Sequence, residues 1–84
     1  MQVNPIKQRR SELGVSSVEL AALCDVSAAL VNCWEVGRSM PSDRHVDELS
    51  DVLKLDPARL RVGLRAFRKD IVQRAQSKIV MATT

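Results

Sequence analysis

The sequence predicts an all-α domain of five helices, the last of them extended. Three observations carry this reading. A capping residue, alone or followed by proline, heads each of five segments. Apolar residues inside those segments recur at spacings of three and four rather than two. Strand signals are absent, with neither a Val/Ile/Thr alternation nor an Asn-Gly turn.

Asn4-Pro5 opens the first helix: Asn caps it, and proline at the first helical position gives up an amide that would have no acceptor. This helix is expected over residues 5 to about 13, ended by Gly14, with Ile6, Arg10 and Leu13 on one face. Ser16 and Glu19 have capping-box spacing, which satisfies two backbone donors reciprocally. Leu20, Ala21 and Cys24 then face inward. The second helix stops near Cys24, before Asp25, a residue type that tolerates a left-handed backbone. Val26 points into the core. Ser27 caps a third helix from Ala28 to about Val36, with Val31 and Trp34 inside and Gly37 ending it at positive φ. Residues 38–41 read as a loop. Ser42 caps a fourth helix over residues 43 to about 53, with Val46, Leu49 and Leu53 on its inner face. Asp56-Pro57 repeats the cap-plus-proline start for a fifth helix reaching about residue 80, and residues 81–84 are expected to fray.

The 84 residues are room for one domain, of a size at which a second copy adds useful buried area. Aromatics are nearly absent (one Trp, one Phe, no Tyr), so Val, Leu and Ala must fill the core. No apolar run approaches the ~18–20 residues of a membrane span. Residues 1–5 show no signal-peptide pattern. The expectation is a soluble, cytoplasmic protein with no membrane partner. Net charge is +3, a mild bias toward polyanions. Acids gather centrally, at Asp43, Asp47, Glu48, Asp51 and Asp56; basic residues gather toward both ends. Cys24 and Cys33 form no CxxC and have His45 as the one histidine, whereas zinc needs about four ligands. No metal or cofactor is expected, and both thiols read as buried and reduced.

The segment SSVELAALCDVSAALVNCWEVG, residues 16–37, reads as two short helices joined by a tight turn. Small Ala21 sits where the helices would cross closely. Such a unit presents its second helix as a ridge fitting the ~12 Å major groove. The chain here resembles the Cro and phage-repressor (XRE-type) helix-turn-helix family. The resemblance is carried by Arg10, Leu13-Gly14-Val15-Ser16, Glu19-Leu20-Ala21, Val26-Ser27, Val31, Trp34-Glu35, Gly37-Arg38 and Pro41-Ser42. The stretch Val52-Leu53-Lys54-Leu55-Asp56-Pro57, with Leu60, continues it, and the match covers about residues 4 to 62.

The resemblance implies a lambda-repressor-like fold, double-stranded DNA as partner, and roles for named residues. Arg10 and Glu35 would pair structurally across helices one and three. Amides near Ser16 and Ser17 would grip a phosphate. Ser27 would begin the recognition helix, with Ala28, Ala29, Asn32 and Cys33 facing the groove. Arg38 and Arg44 would contact the backbone and set register. The chain departs from its family where long amides are common, at Ser17 and Ala28, which are both short. Asn32 remains the one amide able to read adenine, and Ala28 or Ala29 could touch a thymine methyl.

Residues 1–62 are assigned to the DNA-binding domain and 63–84 to a helical extension. In that extension, Phe67, Ile71, Ala75 and Ile79 continue the stripe begun by Leu60 and Leu64. They are expected to form a dimer interface; the alternative is that they fold back on their own domain. Arg65, Arg68, Lys69 and Arg74 line the opposite face, as a solvated surface or as a supplementary phosphate contact. His45 is expected to be solvated and Trp34 to be core. No nucleophile elbow or oxyanion-hole signal points to catalysis. The expected function is a homodimeric, sequence-specific transcriptional regulator, a repressor on a palindromic operator. The alternative is a helix-turn-helix-derived module that masks a protein partner through apolar Val18, Leu30 and Val36, as an antiactivator or antitoxin would.

Overall fold

In the computed structural model, residues 3–83 are described. They form α1 (Pro5–Glu12), α2 (Ser17–Leu23), α3 (Ala28–Val36), α4 (Asp43–Leu53) and α5 (Pro57–Thr83), with no strand among the described residues. The all-α, five-helix architecture with an extended last helix matches the sequence reading.

Each helix starts where a side chain takes up orphan amides. Asn4 Oδ1 accepts from the amides of Ile6 and Lys7 at 3.0 and 3.1 Å. The Ser16–Glu19 capping box is complete. Ser27 Oγ accepts from Leu30, Ser42 Oγ from His45, and Asp56 Oδ2 from Arg59. The stops follow backbone chemistry as well. Gly37 ends α3 at φ +80°, and Asp25 turns the chain between α2 and α3 at φ +55°. Lys54 ends α4 in the same left-handed region, at φ +57°, with no residue type to announce it.

The core is one cluster built around Ile6, Leu20, Val31, Trp34, Leu49, Leu53, Leu60 and Leu64. Here α2 packs on α3, α1 on α3, α4 and α5, and α4 on α5. Two polar side chains, one capping α1 and one from its last turn, tie distant helix ends into this core. Asn4, 3% exposed, donates from Nδ2 to the Trp34 carbonyl at 2.9 Å. Arg9 Nε donates to the Leu53 carbonyl at 2.9 Å, a cation at the negative end of α4.

Several expectations need correction. α1 ends one residue early, so Leu13 becomes the cap residue and is 42% exposed rather than inward. Cys24 is buried, but Cys33 is only half-buried, because it lies at the margin of the outer face of α3. His45 is not simply solvated: it is half-buried, its ring 5.2 Å from that of Trp34 and its Nδ1 3.0 Å from Ser42 Oγ. Leu30 is half-buried against the core, which removes much of it from any outer apolar surface. α5 continues past residue 80 through Met81 and Ala82 to Thr83; Thr84 lies outside the described residues.

α5 also departs from a helix whose outer half simply faces a partner. Phe67 and Ile71 are half-buried over Gly37, the residue that ends α3. A Cβ there would lie 2.5 Å from Ile71 Cδ1 and 3.1 Å from Phe67 Cε2, so a residue without one is needed for this closeness. From Val72 to Ala82 every residue is exposed. The molecule is accordingly elongated, 47 × 24 × 23 Å.

Asn4→Ala removes a cap together with the shorter bond to the Trp34 carbonyl, which then keeps only the 3.4 Å bond from the Gly37 amide. It should lower unfolding free energy by about 2 kcal/mol or more. Ser27→Ala, which loses a cap alone, should cost about half of that. Urea denaturation of the two variants side by side checks the order.

Candidate nucleic-acid interface

α2 and α3 are bent 112° from one another about the turn at residues 24–27. Leu20 and Ala21 of α2, its cap residue Cys24, and Val31 and Trp34 of α3 fill the inside of this bend. What remains outside on α3 is the arc of residues 28, 29, 32, 33 and 36. Ala29 and Asn32 are exposed, Ala28 and Cys33 half-buried, and Val36 is 51% exposed. The arc holds no charged side chain. Its one long polar group is the Asn32 amide, a donor–acceptor pair that fits the edge of adenine in a major groove.

The orientation of α3 is fixed by an ion pair. Arg10 Nε meets Glu35 Oε2 at 2.8 Å and Arg10 Nη2 meets Oε1 at 3.0 Å, a bidentate arrangement. Nη1 donates to the Val15 carbonyl at 3.0 Å, so the same guanidinium also holds the turn that leads into α2. Glu35 is 8% exposed. The hydrogen bonds to Glu35 raise the Arg10 pKa further, with burial opposing. Glu35 is thus consumed by structure.

Ser16 is placed differently from a simple phosphate contact. Its amide donates to Glu19 Oε1 at 2.9 Å, and its hydroxyl accepts from the Glu19 amide at 3.0 Å. The bond from the Ser16 amide, then that from its side chain, holds the Glu19 carboxyl below the usual carboxylate range. An anion therefore already sits at the head of α2. The amides of Ser17 and Val18 are the donors there without an intrahelical acceptor. Ser27 is exposed at the head of α3. Arg38 is exposed on the following loop, its backbone amide tied to the Cys33 carbonyl at 2.9 Å. Arg44 is exposed and pairs with Glu48 at 3.2 Å, a solvent-facing i,i+4 bridge that is cheap to break. The Cys24 thiol, pushed up by burial and by the nearby charge of Glu48, stays protonated and inert.

A family model described as helix-turn-helix, of the XRE type with Cro-like members, matches residues 6–60. The chain belongs to the XRE-type helix-turn-helix family. The resemblance drawn from the sequence is therefore correct. This is a family of DNA-binding regulators, typically without enzymatic activity, and the chain is a helix-turn-helix DNA-binding regulator in that general sense. No curated protein and no solved structure matches the chain. No single helix among the described residues is long and apolar enough to cross a membrane.

Sequence reasoning missed three residues that shape this site. Asn4 holds the Trp34 carbonyl in the last turn of α3, and the His45 ring packs at a tilt against the Trp34 ring. Arg68 of α5 donates from Nη1 to the Gly37 carbonyl at 2.9 Å, 31 residues away in sequence. The cap role of Asn4 is local and is read from the sequence, but its bond to Trp34, the packing of His45 and the bond of Arg68 each join distant parts of the chain, so no local signal announces them.

Glu35→Ala leaves the partly buried Arg10 guanidinium unpaired and should cost about 3 kcal/mol. Replacing both partners, as in Arg10→Met with Glu35→Leu, should cost less than that single change. Thermal unfolding of the single and double variants distinguishes a structural pair from a pair without consequence.

Proposed function

We propose that the chain is a homodimeric, sequence-specific repressor that sets two copies of α3 into successive major grooves of a palindromic operator. The observation that carries this reading is the exposed, uncharged arc of α3, standing at 112° to α2 with Asn32 at its centre. In this reading Asn32 reads adenine, and Ala28 and Ala29 contact thymine methyls, with Cys33 at the margin. Ser16, Ser17 and Ser27 lie at the phosphate backbone, and Arg38 and Arg44 set register. One good bidentate amide supplies about 1–3 kcal/mol of discrimination, so the rest must come from a second half-site and from DNA shape.

The dimer is proposed to form through the outer part of α5. Phe67 and Ile71 are half-buried within their own domain, so their share in a partner surface is reduced. Ala75 and Ile79 remain exposed, and Val72 at 45% exposure precedes them on the same face. An isolated helix of about a dozen residues is marginal in water, which favours a partner for this stretch. The division between residues 1–62 and 63–84 is then one of role, since α5 is continuous across it. Half-sites would lie about ten base pairs apart, centre to centre.

A second reading has one observation in its favour: Val18 and Val36 are exposed at 66% and 51% beside an arc without cations. On that reading the face masks a protein partner.

Selection of bound duplexes from a random pool tests the first reading. The expected result is a palindromic site with half-sites one helical turn apart. Asn32→Ala should lower discrimination at one adenine by about 1–3 kcal/mol, whereas Arg38→Ala should weaken all sequences alike and reduce the salt slope by about 1. A folded protein that retards no fragment at low salt would turn the assignment toward the masking reading.

A further inference from the structure

The charge of the chain is divided unevenly between its parts. α5 carries seven basic side chains and one acid, Asp70. Residues 1–56 carry six basic side chains and nine acids. The net charge of +3 is therefore a helix of +6 set against a body of −3. Of the body's six cations, Arg10 is bound by Glu35, Arg9 by Glu12 and Arg44 by Glu48. A helix-turn-helix body of this charge is weakly repelled by a phosphate backbone, and the outer arc of α3 offers nothing to offset that.

The cations of α5 begin where α3 ends. Arg68, bonded to the Gly37 carbonyl, holds its guanidinium at the C-terminal end of α3, next to exposed Arg38. One of its five N–H donors is used there. Arg65 lines a cleft of about 90 Å³ with Met40 and Pro41 of the loop that leaves α3 and Asp43 at the head of α4. Lys69 follows Arg65 by one turn on the same face. Arg65 and Lys69 are exposed and have no ion-pair partner among the described residues. Arg61, by contrast, is engaged by Asp43 at 3.6 Å and Asp47 at 3.7 Å, and Arg74 by Asp70 at 3.0 Å. Of the α5 cations without an ion pair among the described residues, Arg65, Arg68 and Lys69 lie on the stretch that meets the end of α3 at Gly37, whereas Arg59 and Lys78 stand near the two ends of the helix.

We propose that Arg65, Arg68 and Lys69, together with Arg38, form a strip that binds the phosphates of duplex DNA flanking the bases read by α3. The proposal rests on the DNA-reading role of α3. Each phosphate neutralised by the strip releases condensed counterions, a source of affinity independent of sequence that the acidic body otherwise offers only through Arg38 and Arg44. α5 then serves two ends along its length: a cationic stretch toward DNA, and an apolar stretch farther out.

The full-length double variant Arg65→Gln, Lys69→Gln tests this against wild type, on the duplex recovered from pool selection. It spares Arg68 and its bond to Gly37. The slope of log Kobs against log salt should fall by about 1.8, the loss expected for two phosphate contacts, with the preferred sequence unchanged. Trimming the duplex to its half-sites should weaken wild type and leave the variant nearly unaffected. An unchanged slope on the long duplex, with wild type binding, overturns the strip alone. Stronger capture of wild type by phosphatidylcholine–phosphatidylserine vesicles than by the duplex at the same salt also overturns it, in favour of a membrane-surface role. A wild type that binds no duplex at any salt overturns the reading of α3 as well.

Discussion

The pair between Arg10 and Glu35 is the joint from which the reading face hangs. One guanidinium fixes the α1 side of the core, the carbonyl of Val15 at the entry to α2, and the carboxylate near the end of α3. Remove it and α2 and α3 still have their mutual apolar contact, but the bend between them loses its anchor to α1. In the proposed reading α3 must hold its side chains within fractions of an ångström, so rigidity here would serve function as well as stability. Asn4 serves the same end from the other side, by occupying a carbonyl of the last turn of α3.

Most of the fold was legible because its signals are local. The caps at Asn4, Ser16, Ser27, Ser42 and Asp56 and the stop at Gly37 each act within about four residues, and a linear reading finds them. Lys54 was not legible: a left-handed lysine is imposed by the chain path from α4 into α5, against the preference of the residue. The full length of α5 was underestimated for a related reason. Residues 81–83 carry no stop signal, and the tail was read as frayed only because termini usually are.

For the candidate site, the sequence pointed to positions, while the structure alone supplied their surroundings. The family pattern names Asn32, Arg38 and the serines by position. It does not reveal that the Ser16 amide is already bonded to Glu19, or that Leu30 turns partly into the core. The stripe from Phe67 to Ile79 was correctly seen as apolar, yet periodicity cannot say what covers it. The answer is split: Gly37 covers the first part, and the second part stays exposed. That split follows from a residue with no side chain meeting two large ones, a relation invisible at a separation of 30 positions or more.

The closure of Gly37 by Phe67, Arg68 and Ile71 has a consequence for biosynthesis. The chain emerges from its N-terminus, so the three-helix portion is complete well before the segment that seals its tip. Until residue 71 has been made, the last turn of α3 lacks both its apolar cover and a donor for its terminal carbonyl. A product ending between residues 64 and 67 would hold every residue of the buried core yet leave the end of α3 without this cover.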